Sequence, residues 1–383
     1  MLKPFHVEIP DAALRELRSR LEQTRFLSDR NGDGWEDGTD HNYLRELVQY
    51  WHHEFDWRVQ EKLLNRFNHM CGRVDGTDLH LIHERGVGPS PLPILLLHGY
   101  PDSFYRFVKL LPLLSDPQAH GGDAVDAFDV IVPSLPGYAF SESRTKNGGA
   151  FGFGDLLHKL MAEELGYPRY AVHGGDWGGV VTELLARSHS SSLVGIHLTD
   201  VPFFHIFRKP DDDQLSLAEK KFFKKVETWQ REEGAYAMIQ GTRPRTISPG
   251  LNDSPAGLAA WIVEKFRTWS DCSGDVERAI PRDRLLANIS FYWFTGAIGS
   301  SFWPYYARMH RPWPIPAGST IDVPTGYAQF PKEILRPPRS LAARAYTDIR
   351  RWTVMPRGGH FAALEQPEAL ATEIREFFRP LRR

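Results

Sequence analysis

The sequence predicts an α/β fold, with a doubly wound and mostly parallel sheet, a helical lid and an N-terminal helical extension. Residues 94–97 and 128–132 are continuous apolar runs that are too short for helices, which indicates buried parallel strands. Stretches with apolar residues at helical spacing alternate with such runs, as in a doubly wound sheet. After residue 203 the alternation stops, and a helical block rich in aromatic residues precedes the last strands. An insertion at this point predicts a lid over the carboxyl ends of the strands.

The composition is that of a soluble globular protein. The 383 residues are 42% hydrophobic, and the 23 Phe, 13 Tyr and 11 Trp are sufficient to line a pocket. A net charge of −2 without a long basic tract argues against nucleic acid as a partner. No stretch approaches the ~18 apolar residues of a membrane span and no signal sequence is evident, so we expect a cytoplasmic protein that does not bind membranes. Cys71 and Cys272 predict neither a disulfide nor a zinc site.

The chain divides into four predicted segments. They are an N-terminal helical segment that packs on the core (1–65), the first part of the α/β core (66–202), the helical lid (203–310) and the second part of the core (311–383). In the first segment Pro10 and Asp11 mark the start of a helix, and a loop rich in Gly and Asp is expected at 28–40.

The strands of the core are predicted from short runs with turn residues between them. Asp75 and Gly76 join the first two as a hairpin, and His80 and His83 are assigned to its surface. The predicted strands are residues 67–74, 79–83, 94–97, 128–132, 170–172, 196–200, 321–326 and 352–355. A final amphipathic helix is expected at 367–378.

A glycine-rich corner within residues 169–187 carries the main chemical signal. A short strand is followed by Gly174-Gly175-Asp176-Trp177-Gly178 and then by apolar residues at helical spacing. This pattern is typical of the nucleophile elbow of the α/β-hydrolase fold, in which a strained turn raises one side chain above the sheet. Asp176 stands at the raised position. Because a carboxylate is ionised at neutral pH, it can attack an electrophilic carbon and form an ester, so alkyl electrophiles are the implied substrates.

The partners of this nucleophile are predicted from chain order, since the acid and then the histidine follow it in this fold. His360 lies in the loop after the last predicted strand and is the candidate base. Glu333 follows the preceding strand and is the preferred acid, with Asp322 and Asp348 as competitors. Asp322 sits inside a predicted strand, and Asp348 lies before the last one.

Hydrolysis of an ester on Asp176 needs two donors for the tetrahedral oxyanion, each typically worth ~10²- to 10³-fold in rate. The elbow supplies one from the backbone N–H of Trp177. The other is expected after an earlier strand, where His98-Gly99-Tyr100-Pro101 can present the N–H of Tyr100.

Taken together, these motifs resemble epoxide hydrolases of the microsomal and juvenile-hormone type. The resemblance covers nearly the whole chain, because residues 5–57 are similar to the leading domain of that branch and residues 251–260 to its lid. The matching strings are His98-Gly99-Tyr100-Pro101, Gly174-Gly175-Asp176-Trp177-Gly178-Gly179, Phe330-Pro331-Lys332-Glu333 and Arg357-Gly358-Gly359-His360-Phe361. The elbow is shared with haloalkane dehalogenases, whereas the leading domain and lid strings are specific.

The resemblance implies Asp176 as nucleophile, His360 as base and Glu333 as the acid that orients it. It also implies two lid tyrosines that polarise the epoxide oxygen, matched here by Tyr236 and by Tyr305, with Tyr306 as the alternative to the second. Neither a metal nor an organic cofactor is needed. The membrane-bound members carry an N-terminal anchor helix that is not seen here. Soluble bacterial relatives include enzymes of enediyne antibiotic biosynthesis, and the aromatic lid suggests a bulky aryl epoxide.

Two other functions remain open at the level of the sequence. A haloalkane dehalogenase would use the same Asp nucleophile, but position 100 is Tyr where those enzymes often carry Asn. An inactive hydrolase scaffold used for binding would be expected to lack a core residue, yet every expected position is filled. The small-molecule epoxide and water are the expected partners, and a homodimer is an open expectation.

Overall fold

The computed structural model describes residues 1–27, 34–143 and 149–382, so residues 28–33 of the loop predicted at 28–40 lie outside the described residues. A mixed sheet forms the centre of the molecule. Its strands are β1 (Lys3–Pro4), β2 (His69–Val74), β3 (Thr77–Glu84), β4 (Leu92–Leu97), β5 (Phe128–Pro133), β6 (Tyr170–Gly174), β7 (Leu193–Leu198), β8 (Thr325–Gln329) and β9 (Ile349–Val354).

Neighbouring strands lie in the order β1-β2-β3-β5-β4-β6-β7-β8-β9. The pairs among β1, β2 and β3 and the pair of β3 with β5 are antiparallel, and the pairs from β5 to β9 are parallel. Strands β5, β6 and β7 are buried along their whole length, as expected where helices cover both faces of a sheet. The prediction of a mostly parallel sheet in an α/β fold is confirmed.

The hairpin of β2 and β3 turns at Asp75 and Gly76, whose φ angles of 46° and 76° fit the left-handed turn that this dipeptide favours. The assignment of His80 to the surface is wrong. Its side chain is fully buried, and its ring nitrogens lie 2.9 Å from His69 Nδ1 and 2.8 Å from Ser134 Oγ. The ring of Phe5, which follows the unpredicted strand β1, lies 5.3 Å from the imidazole of His80 and covers it.

Helices flank the sheet on both sides. The N-terminal helices are α1 (Asp11–Glu22), α2 (His41–His53) and α3 (Trp57–Leu64). Those of the first part of the core are α4 (Leu110–Ser115), α5 (Phe153–Lys159) and α6 (Trp177–Ser188). Helix α6 follows β6 directly, so the predicted strand, turn and helix are all present around Asp176.

The aromatic block forms the predicted helical lid. Its helices are α7 (Phe203–Ile206), α8 (Leu217–Glu232), α9 (Ala235–Thr242), α10 (Pro244–Asp253), α11 (Pro255–Trp269), α12 (Val276–Ala279), α13 (Arg282–Thr295), α14 (Ile298–Ser301) and α15 (Trp303–His310). Local sequence fixes several of the starts: Ser216 and Glu219 form a capping box on α8, and the Ser254 hydroxyl caps α11 just before Pro255.

The lid is seated on the loops that follow β4 and β5. Asn288 donates from Nδ2 to the carbonyl of Pro101 at 2.9 Å, and the Tyr292 hydroxyl donates to the carbonyl of Asp102 at 2.7 Å. The Ser300 hydroxyl donates to the carbonyl of Gly137 at 2.6 Å. These side chains therefore fix the lid above the carboxyl ends of the parallel strands.

The chain returns to the core in β8, which begins at Thr325, four residues after the start of the predicted strand 321–326. Ile321 makes an isolated bridge to Tyr346 before this strand starts. The remaining helices are α16 (Arg339–Ala342), α17 (Ala362–Glu365) and α18 (Pro367–Phe378). Within the described residues, none of the helices combines the length and apolarity that crossing a bilayer requires.

Candidate active site

Asp176 lies at the tip of the turn between β6 and α6. Its φ of 55° and ψ of −129° place a non-glycine residue in a strained conformation, which is expected at a functional site. The glycines on either side make this turn sterically feasible. A Cβ on Gly178 would overlap the carbonyl of Leu97, and one on Gly174 would overlap the carbonyl of Gly178. Only glycine fits where the elbow approaches the end of β4 so closely.

The carboxylate of Asp176 faces two of the predicted partners. The backbone N–H of Tyr100 donates to Oδ1 at 2.8 Å, and His360 Nε2 lies 3.8 Å from Oδ2. Trp177 is the first residue of α6, so its N–H belongs to the orphan donors of a helix N-terminus. The two predicted oxyanion donors thus flank the nucleophile, and the Tyr100 N–H already binds an anionic oxygen.

The imidazole of His360 is held by Glu333. Its Nδ1 lies 2.7 Å from Glu333 Oε1, which also accepts the N–H of Ile334 at 2.8 Å. Nε2 has no hydrogen-bond partner among the described residues and is the ring atom left to contact water. Of the two competing acids, Asp348 pairs with Arg350 beside β9 and Asp322 follows the isolated bridge at Ile321. The structure therefore brings Glu333, and neither competitor, to His360.

The site carries more negative than positive charge, and the pKa values reflect this. Burial opposes the charged imidazolium of His360, but Glu333 and then Asp176 outweigh this effect and raise the pKa to about 9. Burial, with Glu333 and Asp176 adding to it, raises the pKa of Asp200 well above its usual range. Asp200 Oδ1 accepts the backbone N–H of Asp176 at 3.0 Å and so supports the strained turn.

Two lid tyrosines line the same cavity as the carboxylate of Asp176. Tyr236 lies in α9 and Tyr305 in α15, and their ring centroids are 5.8 Å apart. Burial raises the pKa of both phenols, with the charge of Asp176 as a further contribution, so both stay protonated at neutral pH. Tyr306, the alternative to Tyr305, stacks between Trp303 and His310 instead.

A cavity of about 80 Å³ connects these groups. Its polar lining includes Asp176, Glu333, His360 and the two tyrosines, and most of the other lining residues are apolar. The lining residues are Asp176, Trp177, Val180, Asp200, Val201, Phe203, Ile206, Phe207, Trp229, Tyr236, Tyr305, Arg308, Glu333, Ile334, Leu335 and His360. A carboxylate that shares a cavity with two phenols and an imidazole can attack a carbon whose leaving oxygen the phenols protonate.

Sequence reasoning missed several residues of this site. Asp200 comes two residues after β7, and its place at the carboxyl end of a strand beside the elbow was an available signal. Arg106 donates from Nη2 to the carbonyl of His360 at 2.9 Å and pairs with Asp102, and no local pattern marks it. Trp229 and Arg308 reach the cavity through the packing of lid helices, which the sequence does not specify.

Comparison with known proteins gives a consistent result. The family described as "Epoxide hydrolase N terminus" matches residues 2–107, and the one described as "alpha/beta hydrolase fold" matches residues 93–232. A Stigmatella aurantiaca protein named "Putative epoxide hydrolase" is 40% identical over 100% of this chain and 86% of its own length. "Epoxide hydrolase 1" of Oryctolagus cuniculus is 35% identical over 98% of this chain and 88% of its own.

The fold agrees with a solved structure of the same kind. The epoxide hydrolase of Aspergillus niger superposes with a TM-score of 0.85 at 29% identity, covering 100% of this chain and 97% of that one. The family match over residues 93–232 identifies the fold of this chain as that of the α/β-hydrolases. With relatives this similar along almost its whole length, the chain belongs to the epoxide hydrolase family and is an enzyme that hydrolyses epoxides.

Proposed function

We propose that this enzyme converts an epoxide to a vicinal diol in two steps, through a covalent ester on Asp176. The observation that carries the proposal is the convergence of Asp176, His360 and two protonated phenols on one cavity. The anionic carboxylate and the acidic phenols act on opposite ends of the same C–O bond.

In the first step a carboxylate oxygen of Asp176 attacks a ring carbon, and the carbon–oxygen bond of the epoxide breaks. The oxygen takes a proton from Tyr236 or Tyr305, because an alkoxide is far more basic than a phenolate, whose acid has a pKa of about 10 in water. The product of this step is a hydroxyalkyl ester of Asp176. The tyrosinate regains its proton from solvent water.

In the second step His360 Nε2 takes a proton from water, and the resulting hydroxide adds to the ester carbonyl of Asp176. Glu333 holds the imidazole and stabilises its charged form. The N–H groups of Tyr100 and Trp177 stabilise the tetrahedral oxyanion. Collapse of this intermediate expels the diol oxygen, which takes the proton from His360. Asp176 is left as the carboxylic acid and releases its proton to solvent, which balances the proton that the tyrosinate took from water and regenerates the carboxylate.

We infer an aryl epoxide as the substrate class. Trp177, Phe203, Phe207 and Trp229 line the cavity beside the nucleophile and offer aromatic surface to a ring substituent. No feature of the cavity identifies an enediyne precursor, so the proposal stops at the aryl class. A cytoplasmic location and a homodimer stay predictions from the sequence.

A single turnover in ¹⁸O-labelled water, with enzyme in excess over styrene oxide, tests the mechanism. We expect the label in the carboxylate of Asp176 and unlabelled diol, because the diol receives its second oxygen from the carboxylate. Label in the diol of the first turnover would show direct attack by water and would refute the covalent route.

A matched assay with phenethyl chloride addresses haloalkane dehalogenase activity, since the indole of Trp177 lines the cavity and could hold a halide. We expect diol from styrene oxide and no chloride release, because two phenols serve an alkoxide rather than a halide. Chloride release faster than diol formation would favour the dehalogenase.

A further inference from the structure

The loop that carries His360 is bonded to the lid as well as to the sheet. The backbone N–H of His360 donates to the carbonyl of Trp269 at 2.9 Å, and the N–H of Gly358 donates to Asp271 Oδ2 at 2.9 Å. Trp269 is the last residue of α11, so both bonds cross from the core to the lid. The position of the imidazole is therefore tied to the position of this lid segment.

Glu365 completes the connection. This partly buried residue ends α17, and its Oε2 accepts the N–H of Asp271 at 2.8 Å while its Oε1 accepts the N–H of Phe361 at 3.0 Å. One carboxylate thus joins the lid to the residue next to His360. Burial raises the pKa of Glu365 to about 7, although these backbone N–H groups favour the charged form.

The two backbones lie in direct contact at this point. A Cβ on Gly359 would stand 2.5 Å from the carbonyl oxygen of Trp269 and 3.0 Å from the nitrogen of Asp271. The glycines that precede His360 in the sequence are thereby explained: Gly359 permits the close approach, and Gly358 has a φ of 106° that favours glycine. These two glycines therefore allow the loop that carries His360 to pack directly against the lid.

The same lid segment contacts both halves of the catalytic machinery. The indole of Trp269 lies 5.3 Å, centroid to centroid, from the phenol of Tyr236 and 5.3 Å from the imidazole of His360. A displacement of residues 269–271 would change the relation between the group that protonates the epoxide oxygen and the group that activates water.

We propose that Glu365 is a positioning residue for the second chemical step, which holds His360 over the ester on Asp176 by bridging Asp271 of the lid to Phe361 of the loop. The proposal rests on the two-step mechanism above. Glu365 does not touch the reacting atoms, so it acts through the His360 loop. The first step depends on Asp176 and the tyrosines, which this bridge does not contact in the structure.

The two hydrogen bonds that the Glu365 carboxylate accepts suggest a variant that removes only one of them. Two N–H donors need two acceptor oxygens, and a carboxylate has both, whereas a carboxamide has one oxygen and one NH₂ group. Glu365→Gln keeps the size of the side chain and loses one of the two bonds. Glu368→Gln, at the exposed start of α18, is the matched control because it removes the same charge nearby.

The test follows the two steps separately by rapid mixing with styrene oxide, quenching, and intact-mass measurement of the ester. For Glu365→Gln we expect ester formation within about twofold of the wild type and ester hydrolysis slower by about tenfold or more, so that ester accumulates, since a small misplacement of the base is costly. Glu368→Gln should resemble the wild type in both steps. Equal slowing of both steps, or no change in either, would overturn the proposal.

The pH profile separates positioning from general loss of structure. The titratable residues that act on the bridge are Asp271, whose backbone N–H binds Glu365, and His360, whose charge favours ionised Glu365; His360 titrates in both enzymes. Protonation of Glu365 removes one acceptor, so in the wild type ester hydrolysis should fall more steeply below about pH 7, and Glu365→Gln should lack this additional step. An unchanged steepness in the variant would count against the bridge. If the wild type forms no ester at all, the two-step mechanism fails, which is a distinct result.

Discussion

The pKa values of single residues in this site are set largely by their surroundings. The phenols of Tyr236 and Tyr305 and the imidazole of His360 are all buried, yet their pKa values all move upward. For the phenols burial is the main cause, because it disfavours the phenolate. For His360 burial acts in the opposite direction, and the carboxylates of Glu333 and Asp176 overcome it. The phenols are therefore protonated and can act as acids, whereas His360 must lose its proton before it can act as the base of the second step.

The two adjacent lid tyrosines provide an internal comparison. Tyr305 lines the cavity, whereas Tyr306 stacks on Trp303 and His310. We expect Tyr305→Phe to slow ester formation by about 10²-fold, since it removes one proton donor to the epoxide oxygen, and to leave ester hydrolysis nearly unchanged. Rapid-mixing measurement of both steps checks this. Tyr306→Phe is the control. A comparable loss of ester formation in that variant would show that the assignment of the proton donor to Tyr305 is wrong.

The pH dependence of the second step follows from His360. Only the neutral imidazole can accept a proton, so ester hydrolysis should rise with pH until the imidazolium is titrated. The pKa is about 9 while Asp176 is charged, and it should fall in the ester because that charge is then lost. We therefore expect an apparent pKa below about 9 in single-turnover ester decay, and a lower one still in Glu333→Gln. An ester decay rate that decreases as pH rises would contradict the role of His360 as base.

At the scale of elements, the turn between β6 and α6 depends on the absence of side chains. We expect Gly178→Ala to lower the free energy of unfolding by about 1–3 kcal/mol, because the new Cβ would meet the carbonyl of Leu97, and to reduce ester formation by displacing Asp176. Urea unfolding and the ester-formation rate measure the two effects.

Gly250 in α10 is the control for this substitution. A Cβ there meets nothing within 4 Å, so Gly250→Ala should raise stability by about 0.5–1 kcal/mol through the higher helix propensity of Ala. If both alanines had the same effect on stability, the steric explanation of the elbow would be wrong.

Elements with a strong local signal were predictable, and those decided by distant contacts were not. Asp75-Gly76 specifies its hairpin through backbone conformation alone, and the run 94–97 could only be a short buried strand. Strand β8 was predicted to start four residues early, at Ile321, but its pairing with β7 starts at Thr325. His80 looks like strand surface until Phe5 covers it, and Phe5 is 75 residues away in the chain.

For the site, the order of the fold was enough to nominate Asp176, Glu333 and His360, and the structure places them together. The rest depends on the whole molecule. Trp229 and Arg308 come from two different lid helices, α8 and α15, and only the packing of these helices over the sheet brings them to one cavity. Glu365 gave no signal, because its function lies in a contact with Asp271 across the boundary of lid and core.

At the scale of the whole molecule, the N-terminal segment holds the lid as well as the core. Arg20 of α1 pairs with Asp253 at 2.7 Å, and the Thr39 hydroxyl donates to the carbonyl of Ala260 at 2.7 Å. Trp57 adds a contact to α13, with ring centroids 5.4 Å from Phe291 and 5.0 Å from Phe294. Helix α13 in turn is bonded to the loop after β4 that supplies the Tyr100 N–H.

Removal of this anchor should therefore affect both stability and chemistry. Trp57 is 4% exposed, so we expect Trp57→Ala to lower the free energy of unfolding by about 3–5 kcal/mol and to slow ester formation through α13. Tyr50→Phe, which removes an exposed hydrogen bond to Asp283 in the same helix, should cost no more than about 1 kcal/mol and leave the rate unchanged. Urea unfolding and rapid mixing measure both variants. A stable Trp57→Ala enzyme with normal ester formation would show that the N-terminal segment rests on the lid without supporting it.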